Sequence, residues 1–230
     1  MKALHRLIVM SNTYRQSSRH VAPKSGPDPL ATDPQNDLLW RFDMRRLKAE
    51  EVRDSMLAVT GSLNTSAMYG PSIYVPIEDE VLAGQSRPGY GWGKASPEDQ
   101  RRRAVYIHIK RSLTVPILAA FDAADTDFTC PVRFASTQPT QALGMINGAF
   151  ANEQGVKFVS LAKQKAGDDI RARVEFLMEN VTQRPATELD VDRGLKLIED
   201  LQKTHGHSAD KALETFALAA LNLNEFLYLD

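Results

Sequence analysis

Apolar residues recur every three to four positions through the second half of the 230-residue chain, and this spacing constrains its fold more than any other feature. The pattern predicts four helices with the stripes Ala142, Leu143, Ile146 and Phe150; Ile170, Val174, Leu177, Met178 and Val181; Leu195, Ile198 and Leu201; and Phe216, Ala220, Leu221, Asn224 and Leu227. Pro139 occupies the first-turn position before the first stripe. Because a striped helix must bury its stripe against other elements, we expect a mainly α, multi-helix domain whose last helix runs to the C-terminus.

Two more helices are predicted in the first half. Residues 45–63 carry the stripe Leu47, Val52, Met56, Val59 and Leu63, with charged residues on the remaining face. A second stripe begins directly at Met1 and includes Leu4, Leu7, Ile8, Ser11 and Tyr14. We expect this stripe to pack in part against upstream sequence. Residues 1–230 would then form a single domain, the C-terminal fragment of a longer multidomain protein.

Short strands and long loops complete the predicted fold. Ile73, Val75 and Ile77 alternate with other residues, as do Val105, Ile107 and Ile109, so the two runs predict a minor two-stranded β-ribbon. Prolines and glycines make residues 20–36 a loop and produce a second long loop between the two strands. Tyr90 and Trp92, in that second loop, are expected to pin it to the body rather than to stack on a ligand.

Composition narrows the class of function. The formal net charge is −1, from 28 basic and 29 acidic residues, so no global basic field recruits nucleic acid. No run approaches the roughly 18 apolar residues of a membrane span. The single cysteine, Cys130, excludes an internal disulfide and a Cys-x-x-Cys-His haem site, and we interpret it as a buried small apolar residue rather than a nucleophile. We expect no metal and no cofactor in this chain.

The densest polar cluster contains five candidate site residues, Lys110, Arg111, Asp122, Asp125 and Arg133. Carboxylates beside cations suit a metal or a sugar hydroxyl. Asp125 and Asp127 have the Asp-x-Asp spacing of a calcium loop, but Cys130 and Ser136 stand where that motif has a later ligand or spacer and the bidentate glutamate. The alternative is a loop whose aspartates accept backbone hydrogen bonds and pair with nearby cations.

A second candidate is an anion patch suited to sulfate or carboxylate, formed by Arg15, Arg45 and Arg46 together with Arg133. The alternative is pairing of these arginines with Glu50, Glu51 and Asp54 on a solvated helix face.

Five segments, at residues 3–18, 45–63, 102–133, 136–150 and 220–230, resemble the domain of unknown function 1553, a C-terminal domain abundant in planctomycete bacteria. The resemblance implies an exported or periplasmic protein that carries a cytochrome-c-like domain and a second uncharacterised domain upstream. Haem c would then belong to a missing upstream domain. Neighbouring sulfatase-like genes in such bacteria imply a link to polysaccharide metabolism. The resemblance supplies no catalytic residues.

Three functions remain open. The leading hypothesis is a non-catalytic or co-catalytic module whose partners are upstream domains, a partner chain or carbohydrate. The first alternative is an enzyme domain with an Asp/Arg pocket for a carbohydrate or sulfated substrate. The second alternative is a purely structural interaction domain. Convergence of the candidate residues in one pocket would favour the enzyme.

Overall fold

The computed structural model describes residues 1–230 and divides them into two compact units, residues 1–46 with 228–230, and residues 47–227. The expected mainly α fold is confirmed, with eleven α-helices and one two-stranded sheet. The single-domain organisation stays a prediction. No helix combines the length and the apolar character that a bilayer crossing requires.

The first unit holds two helices, α1 (Lys2–Val9) and α2 (Pro29–Thr32), and an antiparallel ribbon of β1 (Arg45–Arg46) with β2 (Tyr228–Leu229). Helix α1 has no buried residue, and its apolar residues Leu4 and Leu7 are 52% and 70% exposed. The predicted loop at residues 20–36 contains α2 as a single helical turn. This turn forms because Asp28 accepts a hydrogen bond from the Leu30 N–H and Pro29 takes the first helical position.

The second unit is built from helices joined by loops. Its helices are α3 (Ala49–Val59), α4 (Asp79–Ala83), α5 (Pro116–Ala120), α6 (Pro139–Asn147), α7 (Ala149–Ala166), α8 (Ile170–Thr182), α9 (Glu188–His205), α10 (Ala209–Ala220) and α11 (Asn224–Leu227). Two 3₁₀ turns, Asp99–Arg101 and Ala104–Tyr106, lie between α4 and α5. Helices α7 to α10 pack consecutively against one another.

The core of this unit follows the predicted stripes of α8 and α10, but the stripe predicted for α6 is wrong, since Leu143 and Ile146 are exposed and Met145 is buried. Phe158 of α7, Val174 and Leu177 of α8 and Leu213 of α10 are almost completely buried in one cluster. At the point where α7 approaches α10, Gly155 lies against the Glu214 carbonyl, at 3.6 Å from an ideal Cβ. A small residue there lets the two helix backbones come close.

Gly194 provides the first testable prediction. An ideal Cβ on Gly194 of α9 would lie 2.7 Å from Val174 Cγ1 and 2.9 Å from the Phe216 ring, and both side chains are buried. Overpacking costs about 1 to 3 kcal/mol, whereas the higher helix propensity of alanine returns at most about 1 kcal/mol. We therefore expect Gly194→Ala to lower the free energy of unfolding, measured by chemical denaturation.

Gly144→Ala is the matched control, because Gly144 also lies inside a helix, α6, but has nothing within 4 Å of an ideal Cβ. It should raise the free energy of unfolding by up to about 1 kcal/mol. Equal changes in the free energy of unfolding for the two variants would show that close packing around Gly194 does not limit the size of the residue there.

The predicted ribbon of residues 73–77 and 105–109 is wrong in its location. Ile73 and Ile107 form only an isolated parallel bridge, in which the Ile73 N–H donates to the Tyr106 carbonyl at 2.8 Å. Residues 104–106 form a 3₁₀ turn, in which side-chain direction repeats every three residues instead of every two as in a strand. Ile107 is therefore buried while Val105 is exposed. Prolines at 71 and 76 also remove the donors that a longer ladder needs.

Several predicted helices have other bounds than expected. Helix α1 ends before Ser11 and Tyr14 of its predicted stripe, and the stripe from Ala142 to Phe150 is divided between α6 and α7. Residues 45 and 46 enter β1, and α3 begins at Ala49, where the Glu51 carboxylate accepts a hydrogen bond from the Lys48 N–H. The last predicted helix does not run to the C-terminus. It breaks after α10 where the Asn222 side chain donates to the Leu218 carbonyl, and such local bonds compete with helix continuation. Phe216 and Leu221 of the predicted stripe are buried, as is Phe226, whereas Leu227 is only partly buried.

Candidate functional site

Helix α3 anchors the scaffold of the candidate site through a buried ion pair. The Arg53 guanidinium donates to the carbonyls of Gln100 at 2.6 Å and Arg102 at 3.0 Å, and lies 3.4 Å from the Asp54 carboxylate. Asp54 in turn accepts a hydrogen bond from the Ala104 N–H at 2.7 Å. Burial raises the pKa of Asp54, whereas this N–H and Arg53 act in the opposite direction. The pair therefore holds residues 99–106 against α3.

Arg102 organises the neighbouring loop in the same way. Its fully buried guanidinium donates to the carbonyls of Ala67, Tyr69 and Pro71 at 3.1–3.2 Å. It also lies over the Tyr106 ring, 4.2 Å from the centroid. Because three carbonyls of one loop share a single cation, this arginine determines the loop conformation rather than binding a ligand.

Aromatic side chains position His108 beside the site. Tyr74 lies 4.9 Å from His108 and 5.4 Å from Trp92 between ring centroids. The Trp92 indole N–H donates to the Val75 carbonyl at 3.0 Å. The expectation that this tryptophan pins the long loop is therefore confirmed, while Tyr90 is exposed.

A cleft of about 220 Å³ opens next to His108, and we call it the His108 cleft. Three of the five predicted cluster residues line it, Lys110, Asp125 and Arg133, together with Glu50 and His108. Its remaining lining is mostly apolar, with Ile107, Leu113, Val115 and Leu118 among the residues. The structure thus brings groups of both charges to one small cleft with an apolar wall.

Glu50 and Arg133 form a two-pronged ion pair in this cleft. Both terminal nitrogens of Arg133 donate to the Glu50 carboxylate, at 2.7 Å and 2.8 Å. Hydrogen bonding to Arg133 lowers the pKa of Glu50, and Glu50 raises the pKa of Arg133. Each side chain is about one-third exposed, so solvent screens the pair and its contribution to stability is on the order of 1 kcal/mol or less.

Lys110 and Arg111 are adjacent in sequence but have different environments. The Lys110 ammonium donates to the Tyr90 carbonyl and to Gln85 Oε1. Arg111 pairs with Asp127 at 2.8 Å, with both side chains more than half exposed, and does not line the cleft. The predicted cluster therefore divides at this point.

The Asp122 carboxylate accepts hydrogen bonds from the N–H and the hydroxyl of Ser136, both at 2.8 Å. Asp125 accepts one from the Asp127 N–H at 2.8 Å. Hydrogen bonds of this kind were expected if the aspartates serve to hold the loop rather than to bind a ligand. No group of three or more His, Cys, Asp or Glu residues is arranged to hold a metal ion.

Cys130 is exposed, so its predicted burial is wrong, because it lies in a loop with exposed neighbours.

The anion-patch residues belong to the first unit. Arg15 is exposed after α1, and Arg45 and Arg46 are consecutive in β1. Successive strand side chains point to opposite faces, and Arg45 is exposed while Arg46 is buried. The patch as a whole stays a prediction.

Sequence reasoning missed Glu50 and His108 as members of the cleft. The alternative to the anion patch did pair its arginines with Glu50, and it is confirmed for Arg133, which lies 83 positions away in sequence. No local pattern places such a distant pair in a cleft.

A family model described as a protein of unknown function (DUF1553) matches residues 1–198. No curated protein and no solved structure matches the chain.

Proposed function

Since this chain belongs to the DUF1553 family, we propose that it is a non-catalytic module of an exported planctomycete protein and binds carbohydrate in the His108 cleft. The observation that carries the proposal is a partial convergence: Lys110, Asp125 and the Glu50–Arg133 pair line that cleft, whereas Arg111 and Asp122 do not, so the full convergence expected of the enzyme alternative is not reached. Sugar hydroxyls both donate and accept hydrogen bonds, so they suit a site with cations and carboxylates side by side.

The size of the cleft supports a single sugar ring or the end of a chain. Clefts for drug-sized ligands span about 300 to 1,000 Å³, and the His108 cleft, at about 220 Å³, lies below that range. Lys110 and Arg133 favour a sulfated or otherwise anionic sugar. This chemistry agrees with the link to polysaccharide metabolism that the resemblance implies.

Protein partners of the polar residues favour binding over catalysis. Arg133 is held by Glu50, and Lys110 is held by Tyr90 and Gln85. The cationic groups of Arg133 and Lys110 donate hydrogen bonds and have no acceptor site with which to take up a proton, so they suit ligand binding. In the whole protein, the module would act beside upstream domains, one of which would carry haem c.

Lys110→Met tests the proposal, with binding of a sulfated oligosaccharide and of its unsulfated parent measured by calorimetry. We expect the sulfated ligand to bind at least tenfold more weakly to the variant, because one charge-assisted contact is lost. Arg111→Met is the matched control, since it removes the same charge one position away but outside the cleft. It should change affinity less than twofold.

The proposal is wrong if the native chain binds neither ligand, or if both variants lose affinity equally. Release of sulfate or of new reducing ends during incubation would instead support the enzyme alternative. In that case, Asp125→Asn should abolish turnover.

A further inference from the structure

A second and larger cleft lies between α3, α7 and the segments that precede α4 and α5. Its volume is about 560 Å³, within the range of clefts that hold small molecules. We call it the Arg101 cleft. Nothing in the carbohydrate proposal depends on it.

The walls of the Arg101 cleft are mainly apolar, formed by Leu57, Val75, Ile77, Val115, Ile117 and Phe150. Each is a core residue or packs against the core. An occupant with an apolar body would remove this surface from water, at about 25 cal/mol for each Å² buried.

Most of the polar groups on the lining have protein partners. Arg53 is held by the carbonyls described above. The Lys157 ammonium pairs with Glu153 at 2.5 Å, and the buried Gln154 accepts a hydrogen bond from the Thr60 hydroxyl at 2.9 Å. The hydrogen bonds of these side chains to protein groups leave them few donors or acceptors for a ligand.

Arg101 differs from the other cations of the cleft. Its Nε is buried and has no hydrogen-bond partner, and no carboxylate lies within ion-pair distance of its guanidinium. A buried charged donor without an acceptor is costly. A carboxylate or sulfonate in the cleft matches the planar fork of a guanidinium and would pair with the charge of Arg101, which has no carboxylate partner in the protein.

The charge of the lining limits the occupant to one negative group. Arg53, Arg101 and Lys157 are opposed by Glu78 and Glu153, so the lining carries 3 minus 2, or one net positive charge. A single anionic group neutralises that charge.

We propose that the Arg101 cleft binds an amphipathic monoanion, a carboxylate or sulfonate attached to an apolar body. The anionic group contacts the Arg101 guanidinium, and the body lies along Phe150 and Ile117. Both an alkyl chain and an aromatic ring have this chemistry.

Calorimetric titration of the full chain with decanoate, 2-naphthoate and decanol tests the proposal. We expect at least one of the two anions to bind with a Kd below about 1 mM and at least tenfold more tightly than decanol. Tighter decanoate binding would identify an alkyl occupant, and tighter naphthoate binding an aromatic one.

Arg101→Met should weaken anion binding at least tenfold and leave decanol binding unchanged. Lys165→Met, which removes an exposed cation of α7 outside the cleft, is the charge-matched control. Ala149→Trp adds volume at an exposed lining position and should weaken binding of all three probes. Thermal melts of each variant confirm folding.

Absence of anion binding to the native chain would overturn the proposal. So would anion affinities that Arg101→Met leaves unchanged, or that Lys165→Met lowers equally.

Discussion

Phe158→Ala is expected to lower the free energy of unfolding by about 3 to 5 kcal/mol, the usual range for truncating a buried phenylalanine. Phe158 lies in α7 with none of its surface exposed, and its ring centroid is 6.4 Å from that of Phe176 in α8. Its removal leaves a cavity between helices that the surrounding backbone can only partly fill. The melting temperature should fall by roughly 10 °C.

Two variants separate burial from residue type in this prediction. Phe158→Leu fills more of the same space and should cost clearly less than the alanine. Phe128→Ala removes an exposed phenylalanine and should change the free energy of unfolding by at most about 0.5 kcal/mol. Similar melts for Phe158→Ala and Phe128→Ala would show that Phe158 does not lie in the core.

Arg53→Met is expected to cost about 3 to 5 kcal/mol at pH 7, because removing one member of a buried pair leaves its partners uncompensated. The lost interactions are those with Asp54 and with the carbonyls of Gln100 and Arg102. Methionine keeps much of the side-chain volume, so chemical denaturation would report mainly the lost charge and hydrogen bonds.

The same variant should acquire a steeper pH dependence. The pKa of Asp54 is already raised by burial, and the attraction of Arg53 counteracts this. Without Arg53 the folded-state pKa rises further, so the folded protein retains the proton to higher pH than the unfolded chain does. Stability then falls as pH rises above the ordinary aspartate value of about 3.9. The deficit of Arg53→Met should therefore be larger at pH 7 than at pH 4.

Arg103→Met is the matched control, because Arg103 approaches the same carboxylate at 3.6 Å but is 62% exposed. A screened pair of this kind is worth less than about 1 kcal/mol. Equal losses for the two arginines, or a deficit of Arg53→Met that is independent of pH, would contradict the role assigned to the buried pair.

The helices were the part of the fold that sequence patterns predicted well. The stripes around Val174 and Phe216 are buried, since a period of 3.6 residues is a local property that a short window of sequence contains. Helix ends were predicted less well. Residues 45 and 46 left the predicted helix for a strand because their ladder partners lie at positions 228 and 229, beyond any local window.

The density of charged residues in the sequence located the region of the candidate site. It did not identify which of these residues line the cleft. Lys110, Asp125 and Arg133 line one cleft, whereas Arg111 pairs with Asp127 outside it. Whether Lys110 or the adjacent Arg111 lines the cleft depends on the direction of each side chain. That direction is determined by the backbone turn near Lys110. Density of charge alone does not contain this information.

By itself, the sequence determined the mainly helical fold class and the near-neutral charge, which depend on local pattern and composition, and its resemblance to a known family identified the family. Only the tertiary structure decided which residues meet. It joined Glu50 to Arg133, buried Arg53 and Arg102 among loop carbonyls, and placed Arg101 in a cleft of apolar residues. The physical reason is that pairing and burial of charges depend on chain segments that fold together from distant positions.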